Sequence, residues 1–427
     1  MATAFYAKKN NLLFRVFEST NEVGGNCRTI KVNDFKFDTG AHRLHDKIPN
    51  VTSDIKMLLG EDLKLVTAPS KIYLNGDFIN FPIEAINLIN NIDIKITTKI
   101  IKDTIKIFFQ KKSYNRNFKE YAYSTYGKTL SDLILINYTE KLWGIPANML
   151  SPKVSGGRLK NLNFSSIIKG IFNNKKHMQH LDGSFYYPAD GFGSIFDSIK
   201  NYINEQNIYF NSPIKSLVHK NNKIEKIIYK NNKEINAANI ISTLPITTLI
   251  NILTPSPPEI IKKTIKEISF RSIKLYIFMI NKKFISKNAS MYFPEKNIPF
   301  TRIYESKNRS YSMAPPNQTS IVVEFPYHTG ENNLFSNQEI ENKVEQYLIK
   351  NNFFKKSDII MKRIINVPYA YPILDVDIKN KLNLLMNYLN KFDNLKLIGR
   401  SAEFKYLHTH DLFRKSRKII NSYLKIV

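Results

Sequence analysis

A short apolar run, Asn11 to Phe17 (NLLFRVF), ends in the acid Glu18, and Gly24-Gly25 and Arg28-Thr29 follow at close range. This order constrains the fold more than any other feature of the chain. An apolar stretch of that kind reads as a strand, which puts Glu18 at a strand tip. In a doubly wound sheet, ligands bind outside the carboxyl ends of the strands, and an acid there accepts the hydroxyl protons of an adenosine ribose. The paired glycines let backbone amides approach a pyrophosphate, and Arg28 adds a positive charge. The combination points to FAD.

A Gly-x-Gly-x-x-Gly turn normally precedes such an acid by about twenty residues, because it brings a helix N-terminus to the pyrophosphate. Here the residues ahead of the strand, ATAFYAKKN, read as the body of the helix that such a turn would open. The first strand and its phosphate turn are therefore expected to be missing, either because the sequence starts inside a longer chain or because the protein dispenses with them. The expected fold class is α/β: a Rossmann-like FAD-binding domain truncated at its N-terminus, a mixed-sheet substrate domain and a helical insertion.

Pattern changes place the boundaries. Residues 1–82 read as the first part of the FAD-binding domain, ending in two short strands around an Asn75-Gly76 hairpin turn. From 83 to 180 the period becomes helical, as in IKITTKIIKDTIKIFF, and this is the insertion. That segment is basic and amphipathic, a pattern shared by helices on membrane surfaces. The expectation is a helix packed on the protein with a solvated lysine face. Residues 181–250 return to the FAD-binding domain, 251–390 supply substrate-domain strands, and 391–427 give a strand, a Gly399-Arg400 turn, a loop and a terminal helix.

The net charge of +27 raises the question of nucleic acid. The lysines are spread along the chain among asparagine and isoleucine, as an AT-rich genome produces, and no basic stripe interleaved with stacking aromatics stands out. The same bias makes glycine scarce, yet nine of the 15 glycines fall inside the motif runs. A single cysteine, Cys27, leaves no internal disulfide. No signal peptide is read at the start and no apolar run reaches a membrane-spanning length, so a cytoplasmic location is expected.

The runs FESTNEVGGNCRT, FKFDTGAHRLH, YTEKLWGIP, YYPADGFGSIFDSI, IISTLP, PFTRIYES, VVEFPY and LIGRSAEFKYLHTHD, in this order, resemble the flavoprotein group of amine oxidases, protoporphyrinogen oxidase, phytoene desaturases and UDP-galactopyranose mutase. The resemblance covers essentially the whole chain. It implies that Glu18 holds the adenosine ribose, that Gly24, Gly25 and Arg28 lie along the pyrophosphate, and that Ile214 meets the adenine edge. It brings Gly40, Ala41 and His42 to the isoalloxazine ring and Gly399 and Arg400 to the pyrophosphate. Thr409, opening the last helix, would face the flavin, where a helix N-terminus stabilises an anionic reduced ring.

Two chemistries share this scaffold. Mutase-like positions are Trp143 for a stacked base, His45 at the flavin, and Arg302 and Tyr406 at a phosphate; Arg158 is a further substrate candidate. Three positions depart from that pattern: Leu162 where a second arginine is expected, Phe325 where a tyrosine is expected, and His408 where an acid is expected. The run RSYSMAPPNQTSIVVEFPY is closer to the oxidases. The favoured expectation is an FAD-dependent oxidoreductase acting on a sugar or polyprenoid-type small molecule, with His42, His45, Arg302 and Tyr406 as catalytic candidates. The alternatives are a UDP-galactopyranose mutase-like isomerase using reduced FAD, with a nucleotide sugar as substrate, and a non-catalytic remnant.

Each candidate also has a plainer role. Trp143 can be core, Arg302 can pair an acid, Tyr406 can pack between domains and Arg158 can cap a helix. His42/His45 and His408/His410 are expected to line one flavin or substrate pocket, and no metal is expected because neither carboxylate nor thiolate accompanies them. No second nucleotide motif suggests NADPH, and the oligomeric state is not readable.

Overall fold

The computed structural model describes residues 1–110, 115–155, 184–328 and 336–424. Its N-terminal helix, Ala2–Lys9, buries Ala4, Phe5, Tyr6 and Ala7, as expected of ATAFYAKKN. The chain then enters the strand Val16–Phe17, which pairs in parallel with Ile208–Tyr209. A second parallel pair joins Ile240–Ser242 to Leu395–Leu397. Parallel neighbours require crossover connections, and here the partners in each pair lie more than 150 residues apart in the chain. The doubly wound unit is therefore discontinuous.

Beside it lies a four-stranded sheet, in the order Lys233–Asn236, Lys223–Tyr229, Ile214–Lys220 and Leu253–Thr254. Its tight turns use Asn221-Asn222 and Asn231-Asn232, all four with positive φ. Asparagine tolerates that region better than any other residue except glycine. In a chain poor in glycine, asparagine supplies the turns.

The largest sheet has seven strands, ordered Ile359–Pro372, Phe270–Ile280, Thr319–His328, Arg302–Glu305, Ser290–Tyr292, Ser70–Leu74 and Asp77–Phe81. Phe270–Ile280 is buried along its whole length. Alternation sends Ile273, Leu275, Ile277 and Met279 into the main core, while Tyr276, Phe278 and Ile280 join Ile340, Val344 and Leu348 on the other face. Those last three belong to the helix Asn337–Lys350, whose start is fixed by a reciprocal cap between Ser336 and Glu339.

The Asn75-Gly76 hairpin forms as expected, with positive φ at both residues. It does not close the N-terminal unit, however. Ser70–Leu74 pairs in parallel with Ser290–Tyr292, so the expected boundary at residue 82 cuts through the large sheet. Strand propensity marks the hairpin, but its sheet is chosen by a partner more than 200 residues away.

After the hairpin the chain turns helical through Ala85–Asn90, Ile94–Phe109, Phe118–Tyr126 and Asn137–Trp143. The last part of the expected insertion, 156–180, falls outside the described residues. Ile94–Phe109 departs from expectation: its lysines are solvated, but its buried residues are Thr97, Ile100 and Thr104, and several of its large apolar side chains face outward.

Candidate active site

Glu18 stands at the end of its strand, where its N–H donates to Tyr209 O at 3.0 Å. Its Oε1 accepts from Thr20 N and Thr20 Oγ1, both at 2.9 Å, and so shapes the exposed turn that follows. Gly24 and Gly25 both take positive φ, +99° and +55°. A Cβ at Gly25 would meet nothing within 4 Å, so the turn leaves open space on that side. Arg28 pairs with Glu22 through Nη1 at 3.0 Å, while its Nε is buried without a partner.

Behind this loop a buried polar knot holds the backbone. Asp38 accepts from Thr29 Oγ1 at 2.6 Å, Tyr187 OH at 2.5 Å and Phe192 N at 3.0 Å. Thr29 Oγ1 in turn accepts from Gly193 N at 2.8 Å. Burial nonetheless pushes the Asp38 carboxyl above its usual range.

The Gly40-Ala41-His42 segment lies against the same loop. His42 Nε2 donates to Asn26 O at 2.9 Å, which fixes the proton on that nitrogen because a carbonyl only accepts. The ring packs on Phe192 at 5.0 Å. Desolvation and the charges of Arg400, Arg309 and Arg302 push its pKa down to about 3, so the imidazole is neutral at pH 7. A Cβ on Gly40 would come within 3.2 Å of this ring.

The C-terminal segment meets the loop from the other side. Asn26 Nδ2 donates to Pro368 O at 2.8 Å. Desolvation pushes the Cys27 thiol up to about 11, opposed by the Arg400 charge and a hydrogen bond with Thr409. Thr409 opens the terminal helix, Thr409–Leu424, as expected. Gly399 has φ +123°. Arg400 is engaged within the protein: Nη2 donates to Leu407 O at 2.9 Å, and the guanidinium lies 4.6 Å from the Tyr406 ring and 5.8 Å from the Tyr371 ring. Ile214 begins its strand opposite Tyr229.

Around Arg400 the aromatic residues gather. Tyr371 and Tyr406 stack at 6.0 Å with an interplanar angle of 14°. Trp143 stands edge-on to both, at 5.7 and 6.4 Å. Arg302 lies 5.9 Å from the Tyr292 ring, and it forms a buried bidentate pair with Glu324, with Nε and Nη2 at 2.9 and 2.6 Å from the carboxylate. The plainer role expected for Arg302, pairing an acid, is thus present.

Trp143 is held by its helix end. Gly144 takes φ +73° and closes the helix. Arg271 donates to Leu142 O and Lys141 O at 3.2 and 3.3 Å, and His328 Nε2 donates to Gly144 O at 3.1 Å. These two residues, with Tyr371 and Glu324, escaped the sequence reading. The run VVEFPY by itself gives no role to its acid. Only the strand register reveals Glu324 as the partner of Arg302.

His42 and His408 flank the Arg400–Tyr406 group, His408 lying edge-on to Tyr406 at 5.5 Å. His410 is buried, stacked on His408 at 5.4 Å and 3.7 Å from Asp411, and His45 lies edge-on to Phe185. Arg158 and Leu162 lie outside the described residues. Among the described residues no group of three His, Cys, Asp or Glu side chains could hold a metal ion.

A parallel α/β unit assembled from distant parts of the chain, joined to a large sheet and carrying an open glycine turn beside an arginine with an unpartnered buried nitrogen, fits the class of folds that bind dinucleotides. The flavin containing amine oxidoreductase family matches residues 1–353, and the chain belongs to that family. It is an FAD-dependent enzyme, and the turn's chemistry fits the phosphate groups of that cofactor. A reduced UDP-galactopyranose mutase is similar in fold, with a TM-score of 0.86 and 17% identity, covering 100% of this chain and 93% of that one. A provisionally assigned protoporphyrinogen oxidase from Exiguobacterium sp. 255-15 gives 0.74 and 14%, covering 99% and 95%. Putrescine oxidase bound to putrescine gives 0.66 and 11%, covering 99% and 96%. No curated protein matches the chain.

Proposed function

We propose that this enzyme transfers a hydride between FAD and a ring-bearing small molecule of sugar or polyprenoid type, held among Trp143, Tyr371 and Tyr406. FAD when bound supplies the two-electron acceptor. In this reading Glu18, Gly24, Gly25 and Arg28 hold its adenosine and phosphate portion, with Gly399, Arg400 and Thr409 approaching from the C-terminal side and Ile214 at the adenine edge. Gly40, Ala41 and His42 line the ring. The neutral His42 keeps its proton on Nε2 at Asn26 O, which leaves Nδ1 as the acceptor.

The observation that carries this reading is the Arg302–Glu324 pair. A site for a diphosphate requires uncompensated cations. Here the arginine expected at a phosphate is neutralised by its own cross-strand acid, and Arg400, which keeps its charge beside the aromatic wall, is turned to the backbone carbonyl of Leu407. Hydride transfer depends on orientation and exclusion of water, which such a wall provides.

A second reading, ring isomerisation of a nucleotide sugar as in the similar mutase, draws on Trp143 and Tyr406 standing with Tyr371 around Arg400. One experiment separates them. The FAD-loaded protein is bleached with dithionite, then oxygen is admitted in one sample and UDP-galactopyranose is added anaerobically to another. Rapid recovery of the yellow spectrum without sugar conversion supports the hydride reading. Slow recovery with interconversion of the sugar ring forms overturns it. Protein that stays colourless after incubation with FAD overturns both.

A further inference from the structure

The helix Ile94–Phe109 buries Ile100 but leaves five of its large apolar residues exposed. Ile94, Ile101, Ile105, Phe108 and Phe109 are 70, 46, 53, 85 and 80% exposed, while its buried positions are Thr97, Ile100 and Thr104. At about 100° per residue, Ile94, Ile101, Ile105 and Phe108 fall on one ridge. Lys95, Lys99, Lys102 and Lys106 form a row along the side of that ridge farther from the buried face. The one acid within the helix, Asp103, is turned inward and accepts from Thr129 N at 2.7 Å. The outer surface is therefore apolar along one line and cationic along the next, with no carboxylate between them.

We propose that this helix lies flat on an anionic phospholipid bilayer, its ridge in the acyl boundary and its lysine row at the lipid phosphates. The geometry is that of an interfacial helix, in which long lysine stems reach up from an inserted apolar face. Among the described residues no helix is long and apolar enough to cross a membrane, so the contact is one of surface and not of span. Charge selects lipid over a second copy of the chain: the net charge of +27 and four lysines per helix make self-association add cation to cation, whereas an anionic surface neutralises them. The inference rests on the helix alone and holds for either reaction at the flavin.

The test is co-sedimentation of the full FAD-loaded chain with vesicles of phosphatidylcholine alone or mixed with phosphatidylglycerol. Binding is expected to the mixed vesicles and to weaken with salt. Ile101→Asp with Phe108→Asp lowers it by at least about tenfold, and Lys99→Gln or Lys102→Gln by about fivefold each, all with an unchanged flavin spectrum. A Phe108→Trp variant gives emission quenched by brominated lipid, while the buried Trp143 is not quenched. Absence of binding to mixed vesicles, or binding indifferent to the ridge variants, overturns the proposal. So does loss of a concentration-dependent dimer in sedimentation velocity on making those variants, which would assign the ridge to a second copy.

Discussion

Arg302 and Glu324 sit directly opposite one another on neighbouring antiparallel strands and close a two-pronged ion pair inside the protein. Breaking such a pair from one side leaves a buried charge without compensation. Glu324→Gln is expected to lose about 3–5 kcal/mol of stability, measured by urea unfolding, while replacing both partners with Met and Leu loses less. If the protein remains folded, Glu324→Gln also frees the guanidinium and tightens binding of phosphate-bearing ligands, read by calorimetry with UDP.

In the proposed function the Gly24-Gly25 turn and Arg28 form a cradle for the phosphates of FAD. Gly25→Val closes its open side and Arg28→Met removes its cation. Each is expected to weaken FAD binding by about tenfold or more, measured by quenching of free FAD fluorescence. The stabilisation that FAD confers on thermal unfolding falls in step. Arg28→Lys retains more affinity than Arg28→Met.

His42 ties acid stability to the flavin loop. Its folded pKa of about 3 lies below the ordinary value of 6.5, so the unfolded chain takes up a proton that the folded protein refuses. The stability this residue contributes is complete above pH 6.5 and is lost as the pH falls from there toward 3. Urea midpoints of His42→Asn are expected to depend less steeply on pH across that window than those of the parent protein.

Gly144 is the hinge on which Trp143 depends. A Cβ there would lie 2.4 Å from His328 Nε2 and 2.5 Å from the Arg271 guanidinium, on a backbone with φ +73°. Gly144→Ala is expected to lower stability by more than ~1 kcal/mol and to shift the fluorescence of Trp143, the chain's sole tryptophan, by displacing it from Tyr371 and Tyr406.

Much of the fold could be read from local chemistry. Alternating apolar residues marked the strands, Asn75-Gly76 marked a hairpin, and the acid after NLLFRVF marked a strand tip. The two chain ends did meet, through Asn26, Cys27, Arg400 and Thr409. What misled was context. The hairpin belongs to a sheet whose other strands come much later, and the helix Ile94–Phe109 exposes Ile101, Ile105 and Phe108 as well as its lysines.

The amino-acid order by itself determined the local elements and the class of cofactor, because strand tips, glycine turns and helix starts are set by interactions within a few residues. Tertiary packing alone decided that Glu324 neutralises Arg302, that Tyr371 completes the wall with Trp143 and Tyr406, and that Ile101 and Phe108 face outward. Those outcomes depend on strand register and on which face of each element finds a partner. Residues far apart in the chain settle both, and no local pattern encodes them.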